Sequence, residues 1–164
     1  MFERIRFVLV APSHAGNIGS AARAVKTMGF NRLIVVDPRH ADYREQPEAI
    51  ARAANAADVL ATSETFATLE QALTGVTTAY AMTAYDRQFG PPMIDVRSAA
   101  LDAANAVVNV DRQIAFVFGT ERDGLRNDDV ERCQFCCAIP ASPDYSSLNL
   151  AQAVQITAYE CQLA

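Results

Sequence analysis

Three short strings place ligand-binding or reactive side chains at close spacing. The first, S-H-A-G-N-I-G-S-A-A-R, covers residues 13–23. Gly16 and Gly19 flank the expected start of a helix, where small residues let a phosphate or another backbone approach free N–H groups. Asn17 offers an amide and Ser20 a hydroxyl. Arg23, one turn beyond Ser20, offers a planar fork suited to phosphate, and His14 is the imidazole of the same loop. The spacing matches neither G-x-G-x-x-G nor G-x-x-x-x-G-K-[ST]. A glycine-rich strand-to-helix turn with a solvated arginine fits the string equally well. The second string, F-V-F-G-T-E-R-D-G-L, covers residues 116–125. Glu121 and Arg122 directly follow a strand that ends at Gly119. A carboxylate there suits a cationic or hydroxyl ligand, whereas a surface Glu–Arg pair on a turn has little energetic value. The third, I-P-A-S-P-D-Y-S-S-L-N-L-A-Q-A-V-Q-I, covers residues 139–156. Ser146, Ser147 and Asn149 stand at the start of a long helix, where capping accounts for part of the pattern.

Other chemistry finds less support. His14 and His40 are unpaired, and Cys133 and Cys136 form a single C-x-x-C beside Cys137. A structural zinc site needs a second pair at matching spacing, so no metal is expected. Cys136 and Cys137 sit in an apolar run, and the four cysteines read as free thiols of a reducing, cytoplasmic compartment.

The elements that must position these residues alternate. Apolar runs at 5–10, 32–36, 77–82, 114–118 and 135–139 read as buried strands. Helices are expected over 18–28 with Asn17 as N-cap, 47–56, 69–73, 95–107, 127–133 with Asn127 as cap, and 148–163. This alternation predicts an α/β fold, a parallel sheet with helices on both faces. Ligands of such sheets bind beyond the carboxyl ends of the strands, which singles out loops 11–17, 119–127 and 140–147. On fold pattern alone, a flavodoxin-like nucleotide or phosphate binder is the competing reading.

The 164 residues suit one domain, 1–164, with no internal repeat or linker. No apolar run approaches the roughly 18–20 residues of a membrane span. The formal net charge of −5 argues at first against a nucleic-acid partner. Yet residues 1–40 hold six basic groups against two acidic ones, so a local basic patch on an acidic body is expected.

Taken together, the three strings resemble the SpoU branch of the SPOUT superfamily, RNA 2′-O-ribose methyltransferases. N-x-G-x-x-x-R at 17–23 is similar to that branch's first motif, F-G-x-E-x-x-G-L at 118–125 to its second, and I-P at 139–140 with S-L-N-L-A-Q-A-V at 147–154 to its third. The opening I-R-F-V-L-V-A-P-S-H-A-G-N-I-G-S-A-A-R-A-V-K-T-M-G-F and the stretch Y-S-S-L-N-L-A-Q-A-V-Q-I-T-A-Y-E are similar to the bacterial TrmJ type, which acts on the anticodon-loop nucleotide 32 of tRNA.

The resemblance implies a C-terminal trefoil knot, which no sequence pattern would suggest. It implies S-adenosylmethionine as cofactor, S-adenosylhomocysteine as product, no metal, tRNA as substrate and a homodimer with active sites at the interface. It places Arg23, Asn17 and Glu121 in the catalytic site. Thr83, Ala84, Gly119, Ile139, Ser146, Ser147, Leu148 and Asn149 would hold the cofactor, and His14, Ser20, Arg87 and Arg122 would meet RNA. Another tRNA or rRNA ribose, or a non-catalytic knotted RNA-binding module, stays open. Two positions depart from the TrmJ pattern. T-A-Y-D-R at 83–87 replaces T-S-A-R, making Arg87 a loose match, and Thr120 stands where relatives carry Arg. The C-terminal tRNA-binding extension of that type is expected to be absent. Arginine is proposed as base in related enzymes, but guanidinium groups stay protonated in proteins. Phosphate binding and polarisation of the ribose hydroxyl therefore suit Arg23 better.

Overall fold

The computed structural model describes residues 2–108 and 112–164. Seven strands, β1 (Ile5–Val10), β2 (Leu33–Val36), β3 (Glu64–Phe66), β4 (Thr78–Met82), β5 (Met93–Asp95), β6 (Ile114–Phe118) and β7 (Phe135–Ala138), form one sheet. The strand order is β3-β2-β1-β6-β4-β7-β5, and every pairing is parallel. The central strands are apolar apart from Arg6 and Thr78 because both faces are covered. Phe7, Leu9, Ile114, Phe116 and Phe118 point into one core with α1 (Ala15–Thr27), α2 (Pro47–Ala53), α3 (Ala57–Ala61), α5 (Val96–Val108) and α7 (Leu150–Leu163). Val8, Val10, Ala115 and Val117 point to the other, with α4 (Leu69–Ala72) and α6 (Asn127–Glu131).

Register in the centre is reinforced by a ladder of stacked rings. Phe7, Phe116, Tyr80 and Phe135 lie on four neighbouring strands, with successive centroids 6.2, 5.0 and 5.6 Å apart. A slip of one residue on any of these strands would send its ring to the opposite face.

The α/β reading holds, and the differences have physical causes. Helix α1 begins at Ala15, so Asn17 lies within its first turn rather than capping it. The expected helix 47–56 breaks at Ala54, whose φ of 49° no α-helix accepts, and continues through a 3₁₀ turn into α3. Strands β3 and β5 are three-residue edge segments with little apolar signal. Arg126 rather than Asn127 occupies the N-cap of α6, without a side-chain cap bond. Helix α7 starts two residues later than expected, capped by Asn149.

Gly19 explains how closely the first layer packs. A Cβ there would lie 2.1 Å from the Ala49 carbonyl oxygen, so α1 and α2 meet at backbone distance. Gly16 likewise faces Glu48. Of the two readings their small size allowed, a phosphate or another backbone, the structure shows the packing of α2 against α1.

Candidate active site

Strands β1, β6, β4 and β7 are consecutive in the sheet. Their carboxyl ends therefore deliver four neighbouring loops, 11–14, 119–126, 83–92 and 139–149, to one edge. The three strings of the sequence meet there.

Glu121 is the junction. Its carboxylate accepts from the Ser13 backbone N–H at 3.1 and 3.0 Å and from the Ser13 hydroxyl at 2.8 Å. It also accepts from the His14 N–H at 3.2 Å and from Asn17 Nδ2 at 3.2 Å. A carboxylate from the loop after β6 thus sits at the N-terminus of α1, where free N–H groups and the helix dipole favour negative charge. Asn149 Nδ2 then donates to Asn17 Oδ1 at 3.1 Å, while Asn149 Oδ1 accepts from the Ala151 and Gln152 N–H groups at 2.9 and 3.3 Å. One chain of hydrogen bonds ties the starts of α1 and α7 to the β6 loop.

Partial burial opposes ionisation of Glu121, but the donors from Ser13, its own backbone N–H and Asn17 outweigh it, and the carboxyl pKa is lowered. Its lone pairs are engaged and its ionised form is favoured. That makes Glu121 an anchor and a poor proton carrier.

Beside this junction lies a cleft of about 220 Å³. Thr83, Ala84, Gly119, Ile139, Ser146, Ser147 and Leu148 line it, as expected from the sequence, and Glu121, Arg122 and Arg87 close it on one side. Met82, Phe118, Leu125 and Leu150 give it an apolar floor. The mixed lining suits an amphipathic organic ligand. Asn149 does not line it, since its amide is spent on α7 and Asn17. Gly119 is required by the wall. A Cβ there would lie 2.1 Å from Gly124 C, because Thr120 and Gly124 exchange backbone hydrogen bonds of 3.2 and 3.0 Å.

The polar residues expected to meet RNA divide. His14 and Arg122 are exposed and Ser20 is half-buried; Arg23, expected in the catalytic site, is exposed as well. Arg87 is engaged within the protein, donating to the Leu125 carbonyl at 2.8 Å and to Asn127 Oδ1. It pins loop 83–92 to loop 119–127. The Arg23 guanidinium makes no hydrogen bond or ion pair among the described residues, and nothing joins it to Glu121 or Asn17. Ser13 was missed by sequence reasoning although it gives Glu121 two donor groups. Its place in the first string was the available signal. The four cysteines are free and buried. Burial pushes the Cys133 and Cys137 thiols up to about 12, which leaves them unsuited to nucleophilic work.

Comparison with known proteins fits this geometry. The sequence profile of the SpoU rRNA Methylase family matches residues 4–159. The tRNA (cytidine/uridine-2′-O-)-methyltransferase TrmJ of Citrobacter koseri is 44% identical over all 164 residues, which span 65% of its length. The crystal structure of a probable methyltransferase from Bordetella pertussis superposes with a TM-score of 0.91 at 50% identity, covering 99% of this chain and 96% of that one. TrmJ from Z. mobilis superposes at 0.89 with 34% identity, over 97% of this chain and 68% of that one.

Proposed function

The chain belongs to the SpoU methylase family, and from that premise we propose that it methylates the 2′-hydroxyl of a ribose in tRNA, at anticodon-loop nucleotide 32, with S-adenosylmethionine as cofactor. The observation that carries this reading is the convergence of all three family motifs on one hydrogen-bonded junction, Glu121–Asn17–Asn149, at the rim of a ligand-sized cleft. The C. koseri relative's name supports tRNA as the substrate.

The cleft fits the cofactor by its chemistry. Ser146, Ser147 and Thr83 offer polar contacts at the rim, and Phe118, Leu125 and Leu150 an apolar floor. When bound, the cofactor supplies an electrophilic sulfonium methyl group. The protein's remaining tasks are alignment and removal of a proton from a poorly acidic hydroxyl. Arg23 binds the phosphate next to the target ribose and stabilises negative charge developing on the 2′-oxygen. Glu121 fixes the N-terminus of α1, the helix that bears Arg23.

Two architectural features belong to the proposal. Strand β7 lies between β4 and β5, which are consecutive in the chain and joined by loop 83–92. A segment made late therefore enters a space bounded by an earlier loop, and this arrangement supports a C-terminal trefoil knot. The unpartnered Arg23 supports a homodimer in which one chain's arginine serves the partner's cleft. Residues 1–164 form one methyltransferase domain, and the free thiols suit the cytoplasm. No helix among the described residues is long and apolar enough to cross a membrane.

The test is methyl transfer from labelled S-adenosylmethionine to tRNA, with the modified nucleotide mapped by mass spectrometry. Arg23→Ala is expected to abolish transfer and leave cofactor affinity, read by calorimetry, nearly unchanged. Near wild-type turnover in that variant would sink the site assignment.

A further inference from the structure

Three aromatic rings project into solvent from the two loops that flank the cleft. Tyr85 is 72% exposed, Phe89 92% and Tyr145 80%. Tyr85 and Phe89 lie on the loop after β4, Tyr145 on the loop after β7, and β4 and β7 are paired neighbours. Tyr85 also lines the cleft, and Ser146 beside Tyr145 does too.

The loops do not leave these rings exposed through slackness. The Thr83 hydroxyl accepts from the Tyr85 N–H at 3.3 Å and donates to the Tyr85 carbonyl at 3.2 Å. Gly90 N–H closes a turn on the Arg87 carbonyl at 2.9 Å, and Tyr145 N–H closes one on Ser142 at 3.2 Å. Arg87 fastens the first loop to Leu125 and Asn127. The backbone is tied down while the rings stay in water, forgoing the stabilisation that burial of such side chains provides.

We infer that Tyr85, Phe89 and Tyr145 form a stacking platform for unpaired bases of the RNA on either side of the methylated ribose. This deepens the proposed function and rests on it. Single-stranded RNA is gripped by aromatic faces on which splayed bases stack. In the chain the rings are interleaved with polar neighbours, Asp86, Arg87, Gln88, Asp144 and Ser146. That pattern suits separate bases better than a second protein surface, whose buried centre would be contiguous and apolar. Asp86 and Asp144 also make these loops poor phosphate binders, so their attraction is to base faces. Arg122, exposed at the cleft wall, is the complementary phosphate contact.

The experiment is a fluorescence titration of the full chain with an RNA hairpin carrying an unpaired loop, against the same RNA made fully base-paired. Wild type is expected to favour the unpaired loop. Tyr85→Ala, Phe89→Ala and Tyr145→Ala should each weaken loop binding about tenfold, with the salt dependence unchanged. Phe89→Tyr and Tyr85→Phe should restore it, and Phe89→Ala should leave cofactor binding intact. Arg122→Ala should instead flatten the salt slope by about one phosphate contact. Alanine variants that bind the loop RNA as wild type does would overturn the inference. So would a fall in sedimentation mass on ring removal, since the rings would then belong to a contact between copies. If wild type binds neither RNA, the proposed function itself falls, and the two failures are thereby told apart.

Discussion

At the N-terminus of α1 the Glu121 carboxylate accepts from Ser13, His14 and Asn17. Glu121 follows a strand end and stands in a family motif, which invites an acid–base role. Its five donor contacts and lowered pKa favour the ionised form. The sign of the resulting pH dependence follows from linkage. A carboxyl whose pKa is lower in the folded chain stabilises fully above the ordinary carboxylate value, about 4.3. That contribution is lost as pH falls through the lowered folded value. Glu121→Gln should therefore melt several degrees below wild type at pH 7, on a scale of roughly 2–4 °C per kcal/mol for a chain of this size. The gap should narrow as pH is brought below about 4. Thermal melts of both proteins from pH 3 to 8 check this, and a gap independent of pH would mean that charge has no part in the junction.

The central elements were readable from the sequence because their signal is local: continuous apolar strands, helices closed by glycine, loops rich in Gly, Pro and Ser. Edge strands β3 and β5 were not, since three half-exposed residues carry no periodicity and are held only by one neighbour. The site was legible as three strings but not as a network. Which side chain Asn17 bonds, or that Ser13 serves Glu121, depends on the order of strands β1, β6, β4 and β7, and residue spacing does not encode that order. Gly16 and Gly19 show the same limit. Small residues at a helix start fit a phosphate or a packed helix equally, and only the placement of α2 decides. Gly19→Ala tests that decision, because its Cβ would press on the Ala49 carbonyl. The helices would have to part, at a cost of about 1–3 kcal/mol as for overpacked cores. Urea unfolding should show the loss as a lower midpoint with an unchanged slope. An unaltered midpoint would mean that α1 and α2 have room between them.

At the scale of the molecule, the acidic net charge and the proposed RNA substrate are reconciled by distribution and by assembly. Residues 1–40 hold six basic groups, Arg23 among them, against two acidic ones, and a net charge governs the far field more than the contact. Within one chain, Arg23 bonds neither Glu121 nor Asn17 and does not line the cleft, which is why the proposed function assigns it to a partner copy. The proposed two-fold dimer would give each cleft the partner's arginine, and the same operation would set two basic segments side by side. The consequence is complementation. Arg23→Ala lacks the arginine but keeps its cleft, whereas Ser146→Tyr fills the cleft and keeps the arginine. Each variant alone should be inactive. Mixed in equal amounts and allowed to exchange subunits, half of the dimers would be hybrids, and each hybrid would carry one intact site and one doubly defective one. Activity should then recover to about a quarter of wild type for random two-fold pairing. If the mixture stays inactive while sedimentation shows that hybrids form, each site draws its arginine and its cleft from the same chain.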